Sequence, residues 1–448
     1  MSNLVQLDKI RPHNRQETHV PPLMGAARRG FGVPDLYVGR LQLTDFRSYG
    51  RVTLVPESRP VVLTGPNGAG KTNILEALSF LSPGRGLRGC RLSEVSRLAT
   101  GNIENSKEND PLGRSHPSLW AVAARLETPD GTMNLGTGMV SGQEQMALQD
   151  ADFSKEISPK DSNPKDSNQR DKRIVRIDGE NGASPAVFGD ILQVAWLTPQ
   201  MDRLFIEAPS GRRRFLDRIV ANFHSSHIRQ VNAYERVMRE RNRLLQDGSG
   251  GGDGVWLDAL EGRMAAHGVA VAAARLDAMD RLAGAIEETT SSFPCAILTV
   301  DGLLENGLLA GPALTVEEDF RKALRDARGA DARSGRTNAG PHKTDLIVHH
   351  KDKNMPAALC STGEQKALLI GITLASARIT ATSFGAAPIL LLDEVAAHLD
   401  KLRRASLFDE LAALGSQVWL TGTDRILFDE LEGRACYYQV ENSRVTEE

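Results

Sequence analysis

Apolar and polar positions first settle into a regular pattern at Leu36, where LYVGRLQLTDF alternates with the two-residue period of a half-buried strand. Strand patterns follow at 51–55 and 60–64. From Ser210 the period lengthens. Residues 211–246 hold no proline and a glycine only at the start, with Phe215, Ile219, Phe223, Ile228 and Val231 near helical spacing. GSGGGDG at 248–254 interrupts the chain. An alanine-rich helical stretch then runs from Trp256 to about 290, carrying Leu257, Leu260, Met264, Val271, Leu276, Met279 and Leu282. Unbroken, each stretch of ~35 residues would reach ~50 Å, a short helical arm rather than a long coiled coil. Strand pattern resumes at 296–300, a charged helix is predicted at 316–328 and a strand at 345–349. The end of the chain alternates: a helix from Gly363, the strand PILLLD at 388–393, a helix near 402–414, the strand QVWLTG at 417–422. That alternation predicts an α/β fold.

Two regions lack any period. Residues 1–36 contain four prolines and mixed charge, which predicts a disordered extension. Polar loops are predicted at 101–117 and 141–172; the second repeats PKDSN in tandem at 159–168, a composition that buries no core and predicts a disordered insertion.

The chain of 448 residues is 40% hydrophobic and 25% charged, the balance of a globular protein of two or three domains. No run approaches 18 consecutive apolar residues and the first 30 carry no apolar h-region, so neither a membrane span nor secretion is expected. Four cysteines (Cys90, Cys295, Cys360, Cys436) lie far apart without a CxxC pair, which excludes a disulfide scaffold and a zinc ribbon and fits a reducing cytoplasm. Net charge is −3, so a nucleic-acid surface would have to be a local basic patch.

The strongest chemical signal is GPNGAGKT at 65–72, between the apolar strand VVLT and the helical NILEALSFL. Gly65, Pro66, Asn67, Gly68, Ala69 and Gly70 form a loop whose backbone N–H groups wrap phosphates. Lys71 adds positive charge, Thr72 offers a hydroxyl to Mg²⁺, and the helix N-terminus adds a favourable dipole. The second signal is PILLLDEVAAHLD at 388–400, a buried strand ending in two carboxylates. Asp393 would hold the Mg²⁺ shell and Glu394 would polarise an attacking water. From Lys71 to Asp393 is 322 residues, more than a compact P-loop domain needs, so the arm is predicted to be an insertion. A third segment, LCSTGEQKALLIGITLASA from 359, opens a helix on Ser361, Thr362 and Gly363, a capped terminus able to meet a phosphate.

Taken together, P-loop, Ser-x-Gly-Glu and apolar-Asp-Glu resemble the ABC ATPase heads. GPNGAGKTN with LQLTDFRSY is similar to the chromosome-associated branch that SMC proteins share with the RecF family, and SFLSPGRGLRG (79–89), PQMDRLFIEAPSGRRRFLD (199–217) and GPHKTDL (340–346) resemble RecF in particular. The resemblance covers about 37–440. It implies an ATPase head split as 37–207 and 336–448 around an arm domain at 208–335, binding ATP and Mg²⁺, dimerising around two ATP molecules and acting on DNA in recombinational repair with RecR and RecO. By the same resemblance, Gln200 reaches Mg²⁺ and the γ-phosphate, Ser361 and Gly363 contact the partner's ATP, and Asp400 belongs to the dimer-interface loop. The strand motif has Asp45 where asparagine is usual, and the switch position offers Thr421, Thr423 and Asp424 instead of histidine. His342 and His398 lie in matching segments and are assigned no catalytic role.

For DNA, residues 211–246 carry nine arginines against three acids, while 255–290 carry three against six. Arg212, Arg213 and Arg214 are therefore candidate phosphate contacts, with Arg85, Arg88 and Arg91 as the alternative. Three successive arginines on a helix cannot all face one way, so pairing with the acidic neighbour is the competing expectation. Few aromatics accompany them, which favours backbone contacts to a duplex over base stacking. Other classes fit less well. SMC- or RecN-like ATPases need arms of hundreds of residues, transporter ATPases set their motifs closer together, and a non-hydrolysing structural dimer would not need Glu394.

Overall fold

A computed structural model describes residues 31–97, 120–140, 172–182, 184–247, 254–288 and 291–448. The predicted loop at 101–117, nearly all of the PKDSN insertion, and residues 1–30 of the extension lie outside the described residues. Residues 31–36, placed by sequence in the extension, are held by the head: Leu36 is buried and Phe31 packs on the core beneath the Arg434 guanidinium.

Fifteen strands and nine α-helices are described. The first sheet contains β1 (Tyr37–Phe46), β2 (Tyr49–Leu54), β4 (Ala121–Thr128), β5 (Gly131–Val140), β6 (Lys172–Ile177) and β7 (Glu180–Asn181), antiparallel in the order β2-β1-β4-β5-β6-β7. The second contains β3 (Val61–Thr64), β8 (Val194–Leu197), β12 (Ile389–Leu392), β13 (Val418–Gly422), β14 (Cys436–Glu441) and β15 (Arg444–Glu447). Its order is β15-β14-β3-β13-β12-β8, parallel except at the β15 edge. Helix α1 (Lys71–Ser79) lies between the two sheets.

Residues on each strand of the second sheet divide between two cores by their two-residue period. Val61, Leu63, Ile389, Leu391 and Trp419 face α1 and the first sheet. Val62, Leu390, Leu392, Val418 and Leu420 face the opposite way, toward α8 (Thr362–Phe384) and α9 (Lys401–Leu414). Helix α8 is long and apolar enough to cross a membrane, but it is mostly buried as the central helix of this core. Buried Gln417 ties the layers: its amide accepts from the Val38 N–H at 2.9 Å and donates to the Val38 and Glu57 carbonyls.

The arm enters and leaves between β8 and β12. Its helices are α2 (Pro209–Phe223), α3 (His227–Gln246), α4 (Gly254–Glu288), α5 (Leu303–Ala310), α6 (Ala313–Asp326) and α7 (Arg328–Ser334). Beside them runs a small sheet of β9 (Ala296–Asp301), β10 (Asp345–His350) and β11 (Met355–Pro356). The first arm stretch is two helices rather than one. No proline or glycine breaks it; His224 is extended, its ring hydrogen-bonded to Asp277, while His227 turns back to Asp217. Tertiary contacts impose this break. Helix α2 and the C-terminal half of α4 share the α8 core, whereas Tyr234, Leu260, Phe320 and Leu324 form a separate core farther along the arm.

Candidate nucleotide site

Strand β3 is wholly buried, and the chain turns sharply at its end into α1. Glycine is required there. Gly65 sits at φ 145°, and a Cβ would lie 2.0 Å from the Val440 carbonyl oxygen. Gly70, the α1 N-cap at φ 116°, leaves room for the Tyr49 hydroxyl. Lys71 is buried, and its ammonium donates to the Gly65 and Pro66 carbonyls at 2.6 and 2.9 Å. Burial lowers its pKa below the ordinary value, while the Glu394 and Asp393 carboxylates pull it back up. The loop thus presents a charge supported by its own backbone beside the free N–H groups of a helix start.

Parallel pairing brings the second motif to the same edge. Leu392 pairs with Leu197 on one side and Leu420 on the other, so β8, β12 and β13 end together. The Asp393 N–H donates to the Leu197 carbonyl at 2.9 Å, and Gln200 follows in the exposed 3₁₀ turn Pro199–Arg203. Buried Asp393 receives the Thr72 hydroxyl at 2.9 and 3.0 Å and the Thr421 hydroxyl at 2.7 Å. Burial raises its pKa against these hydrogen bonds. Thr421 in turn accepts the Glu394 N–H at 2.9 Å, holding Glu394 in a left-handed conformation at φ 53°. The hydroxyl and carboxylate pair of Thr72 and Asp393 is an oxygen donor set of the kind Mg²⁺ takes.

Thr421 is thus the switch-segment residue that meets the site. Thr423 is exposed, and Asp424 caps the following 3₁₀ helix by accepting from the Ile426 N–H. Sequence resemblance offered Thr421, Thr423 and Asp424 alike at this position, and their placement distinguishes Thr421.

The strand motif buttresses the P-loop. Asp45 and Arg47 both adopt left-handed conformations, and aspartate tolerates this much as asparagine does. Arg47 grips buried Glu76 of α1 with two donors, at 2.6 and 2.8 Å. Arg88 shares Glu76 at 2.5 Å and donates to Asn73 at 3.0 Å, while Asn73 donates to Ser48 at 2.9 Å. Arg88 therefore belongs beside the nucleotide edge, near enough to act on the Asp393 charge. Half-buried Arg173 holds the intervening loop by donating to the Phe80, Ser82 and Gly84 carbonyls.

The remaining residues lie elsewhere. Ser361 caps α8 in a capping box with Glu364, and both Ser361 and Gly363 are exposed, with no hydrogen bond to the P-loop of their own head among the described residues. Asp400 is exposed and caps α9 through the Arg403 N–H. The three successive arginines separate. Arg212 is consumed internally, with both its Nε and Nη2 donating to Asp345 at 2.8 Å and Nη1 to nearby carbonyls. Arg213 donates to the Thr344 carbonyl, and Arg214 is exposed. Farther along, Arg218 lies over the Trp196 ring, and Arg241 is buried between Glu261 and Asp331. The charge excess of 211–246 is therefore not one continuous basic stripe.

Comparison with known proteins agrees with this arrangement. The AAA domain family model matches residues 40–185. The "DNA replication and repair protein RecF" of Brucella suis biovar 1 (strain 1330) is 45% identical over 412 residues, covering 91% of this chain and 96% of that protein. The protein of the same name from Rhizobium johnstonii is 42% identical, covering 92% and 98%. A solved structure described as the recombination mediator protein RecF with ATPγS superposes with a TM-score of 0.72 at 18% identity, covering 94% of this chain and 100% of that one, which shows the fold. Identity at this level runs through head and arm alike and excludes the transporter and long-armed alternatives, so the chain belongs to the RecF family of DNA replication and repair proteins.

Proposed function

We propose that this chain is a cytoplasmic ATP-dependent DNA clamp. Two copies close on two ATP molecules at gapped or duplex DNA and help load the recombinase with RecR and RecO. One observation supports the reading: the phosphate loop meets Asp393 and Glu394 at the ends of the parallel strands, with Gln200 in the turn after the neighbouring β8, while Ser361 and Gly363 stand exposed at the start of α8 with no hydrogen bond to that loop among the described residues. A nucleotide edge on one part of the head and an exposed capped helix start on another suit a pair of heads that complete one another.

In this reading the N–H groups of 68–72 and Lys71 bind the phosphates, and Thr72 and Asp393, with Gln200, hold Mg²⁺, which supplies charge neutralisation to the nucleotide. Glu394 takes the proton of the attacking water. Thr421 fixes both acids. The head is a weak, DNA-stimulated ATPase, and Asp400 lies in the seam. Among the basic candidates, Arg85, Arg91, Arg213 and Arg214 remain for DNA. Arg88 serves the nucleotide edge instead, and Arg212 serves the fold.

The test is sedimentation of wild type and Lys71→Ala with and without Mg-ATP and a gapped duplex. Wild type is expected to become a DNA-bound dimer only with ATP, and Lys71→Ala to remain a free monomer. A wild-type chain that stays monomeric with all components present would overturn the clamp.

A further inference from the structure

The head–arm junction contains a cleft that the nucleotide site does not use. Its volume is 230 Å³, and its walls come from the start of α2, from α3 and α4, and from the turn at 341–342. Two segments singled out in the sequence, 199–217 and 340–346, contribute to it, although 122 residues separate the end of one from the start of the other. One wall is cationic, with Ser210, Arg213 and Arg214 from the first turns of α2 and Arg275 behind them. Another wall holds Val231, Val271 and the Tyr234 and His342 rings, which stack 5.8 Å apart.

Which of these charges is already matched decides what the cleft binds. Arg275 is buried and donates to both Asp217 oxygens, to Glu305 and to the Pro341 carbonyl. Asp217 is thereby occupied, and it also receives His227. The other acid of the lining, Glu235, pairs with Arg239 at 3.3 Å. Both acids are spent. Arg213 makes one hydrogen bond, to the Thr344 carbonyl at 2.8 Å, and Arg214 makes none among the described residues. Two guanidinium groups thus face a cleft whose acids are committed elsewhere. Burial lowers the Arg213 pKa, and the Arg275 and Arg214 cations add to this against the opposing pull of Asp345 and Asp217, which are themselves hydrogen-bonded to Arg212 and Arg275.

The Tyr234–His342 wall is rigid. The His342 Nε2–H donates to the Thr337 carbonyl at 3.0 Å, so Nδ1 accepts the Tyr234 hydroxyl at 2.8 Å. Gly340, at φ 129°, lets Tyr234 approach; a Cβ there would lie 2.3 Å from its hydroxyl oxygen. The volume falls below the roughly 300 Å³ at which small-molecule pockets begin. That is ample for one phosphate with part of its ester.

We infer that this cleft is an oxyanion socket, in which Arg213 and Arg214 with the Ser210 hydroxyl bind a single phosphate group against the Tyr234–His342 wall. Guanidinium forks fit phosphate oxygens, and the N-terminus of the 15-residue α2 adds its dipole. The phosphate is either free or one link of a DNA backbone; only the second source rests on the DNA reading above.

The experiment follows the labelled imidazole of His342 by NMR in the full chain, its signal assigned by His342→Gln. Inorganic phosphate and a gapped duplex are titrated separately, with chloride at matched ionic strength as control. Phosphate is expected to shift the signal saturably, chloride not, and Arg213→Gln/Arg214→Gln to abolish the shift. If the double variant does not fold, Arg214→Gln alone, at an exposed side chain, should still weaken it at least tenfold. A matching shift with the duplex, together with a salt slope of DNA binding lowered by about 0.9 in the double variant, assigns the phosphate to the DNA backbone. A shift with phosphate but not with bound duplex leaves the socket standing for a free phosphate. Where wild type binds no DNA at all yet phosphate still shifts His342, the DNA reading fails and the socket survives. No shift with either probe overturns the socket.

Discussion

The Thr72 hydroxyl donates to the Asp393 carboxylate at 2.9 Å across 321 residues of sequence. The arm and the small sheet, together with strands β4 to β8 and helix α8 of the head, lie between these two members of one nucleotide edge. Parallel pairing of β12 with β8 and β13 closes that distance, since each strand ends in register with the next.

Thr421, one of the three residues the sequence offered at the switch position, is the member of that edge most direct to test. Thr421→Val keeps the shape but leaves the Glu394 N–H without its acceptor and Asp393 without one donor. A stability loss of about 1–3 kcal/mol is expected from the orphaned polar groups. ATPase activity should fall roughly 10- to 100-fold, as for other residues that orient ligand-bearing acids. Thr421→Ser should restore most of both. Denaturant unfolding and steady-state turnover, measured on the same preparations, check this; full activity in the valine variant would remove Thr421 from the site.

Much of this edge was legible in the sequence. The apolar runs at 61–64, 389–392 and 418–422, each followed by small or acidic residues, mark buried parallel strands and their C-terminal ends. Strand β4 was not legible, because its exposed positions Ala121 and Ala123 are themselves apolar and hide the two-residue period. Strand β5 carries Gly131, Gly136 and Gly138, residues that signal turns. The helix break at 224–226 leaves no local mark, since its cause lies in Asp277 and Asp217. Helical period alone shows that Arg212, Arg213 and Arg214 diverge; that Arg212 meets Asp345, 133 residues later, is a property of the fold.

Two glycines of the phosphate chemistry should respond oppositely to alanine. Gly65→Ala places a methyl group 2.0 Å from a backbone oxygen at a φ that L-residues rarely adopt, and is expected to cost about 3 kcal/mol or more. Gly363→Ala meets open space on a helix and should leave the melting temperature unchanged or slightly raised. Thermal melts without nucleotide separate the two. A Gly65→Ala protein as stable as wild type would contradict the close approach of β14 to the loop.

The α8 cap has a pH signature. Lys353 first, then the Ser361 N–H and hydroxyl, lower the Glu364 carboxyl to about 2. Because the folded value lies below the unfolded one, ionised Glu364 stabilises fully above its ordinary pKa, and that contribution is lost as pH falls toward about 2. The deficit of Glu364→Gln relative to wild type should therefore be constant from neutral pH down to about 5 and shrink below it. Lys353→Ala should move the Glu364 titration upward, read by NMR of its labelled carboxyl carbon. An unmoved titration would show that the Lys353 pair is not formed in solution.

The exposed cap also decides whether two heads share their sites. Ser361→Arg places a bulky cation where the second head's nucleotide would meet α8, and should block dimerisation while leaving ATP binding to the monomer intact. Lys71→Ala removes the phosphate charge and leaves the cap untouched. In a mixed dimer, one site combines an intact P-loop with an intact Ser361 and Gly363, and the other site carries both defects. Mixing the two inactive proteins should then restore up to roughly half of the wild-type activity per mixed dimer, because a composite site needs residues from both chains. Mixed dimers are counted by pull-down on two different tags, so that failure to assemble is not mistaken for failure to act. Activity that stays at the level of the separate variants, with mixed dimers present, would mean that each head hydrolyses alone and that exposed Ser361 serves only to cap its helix.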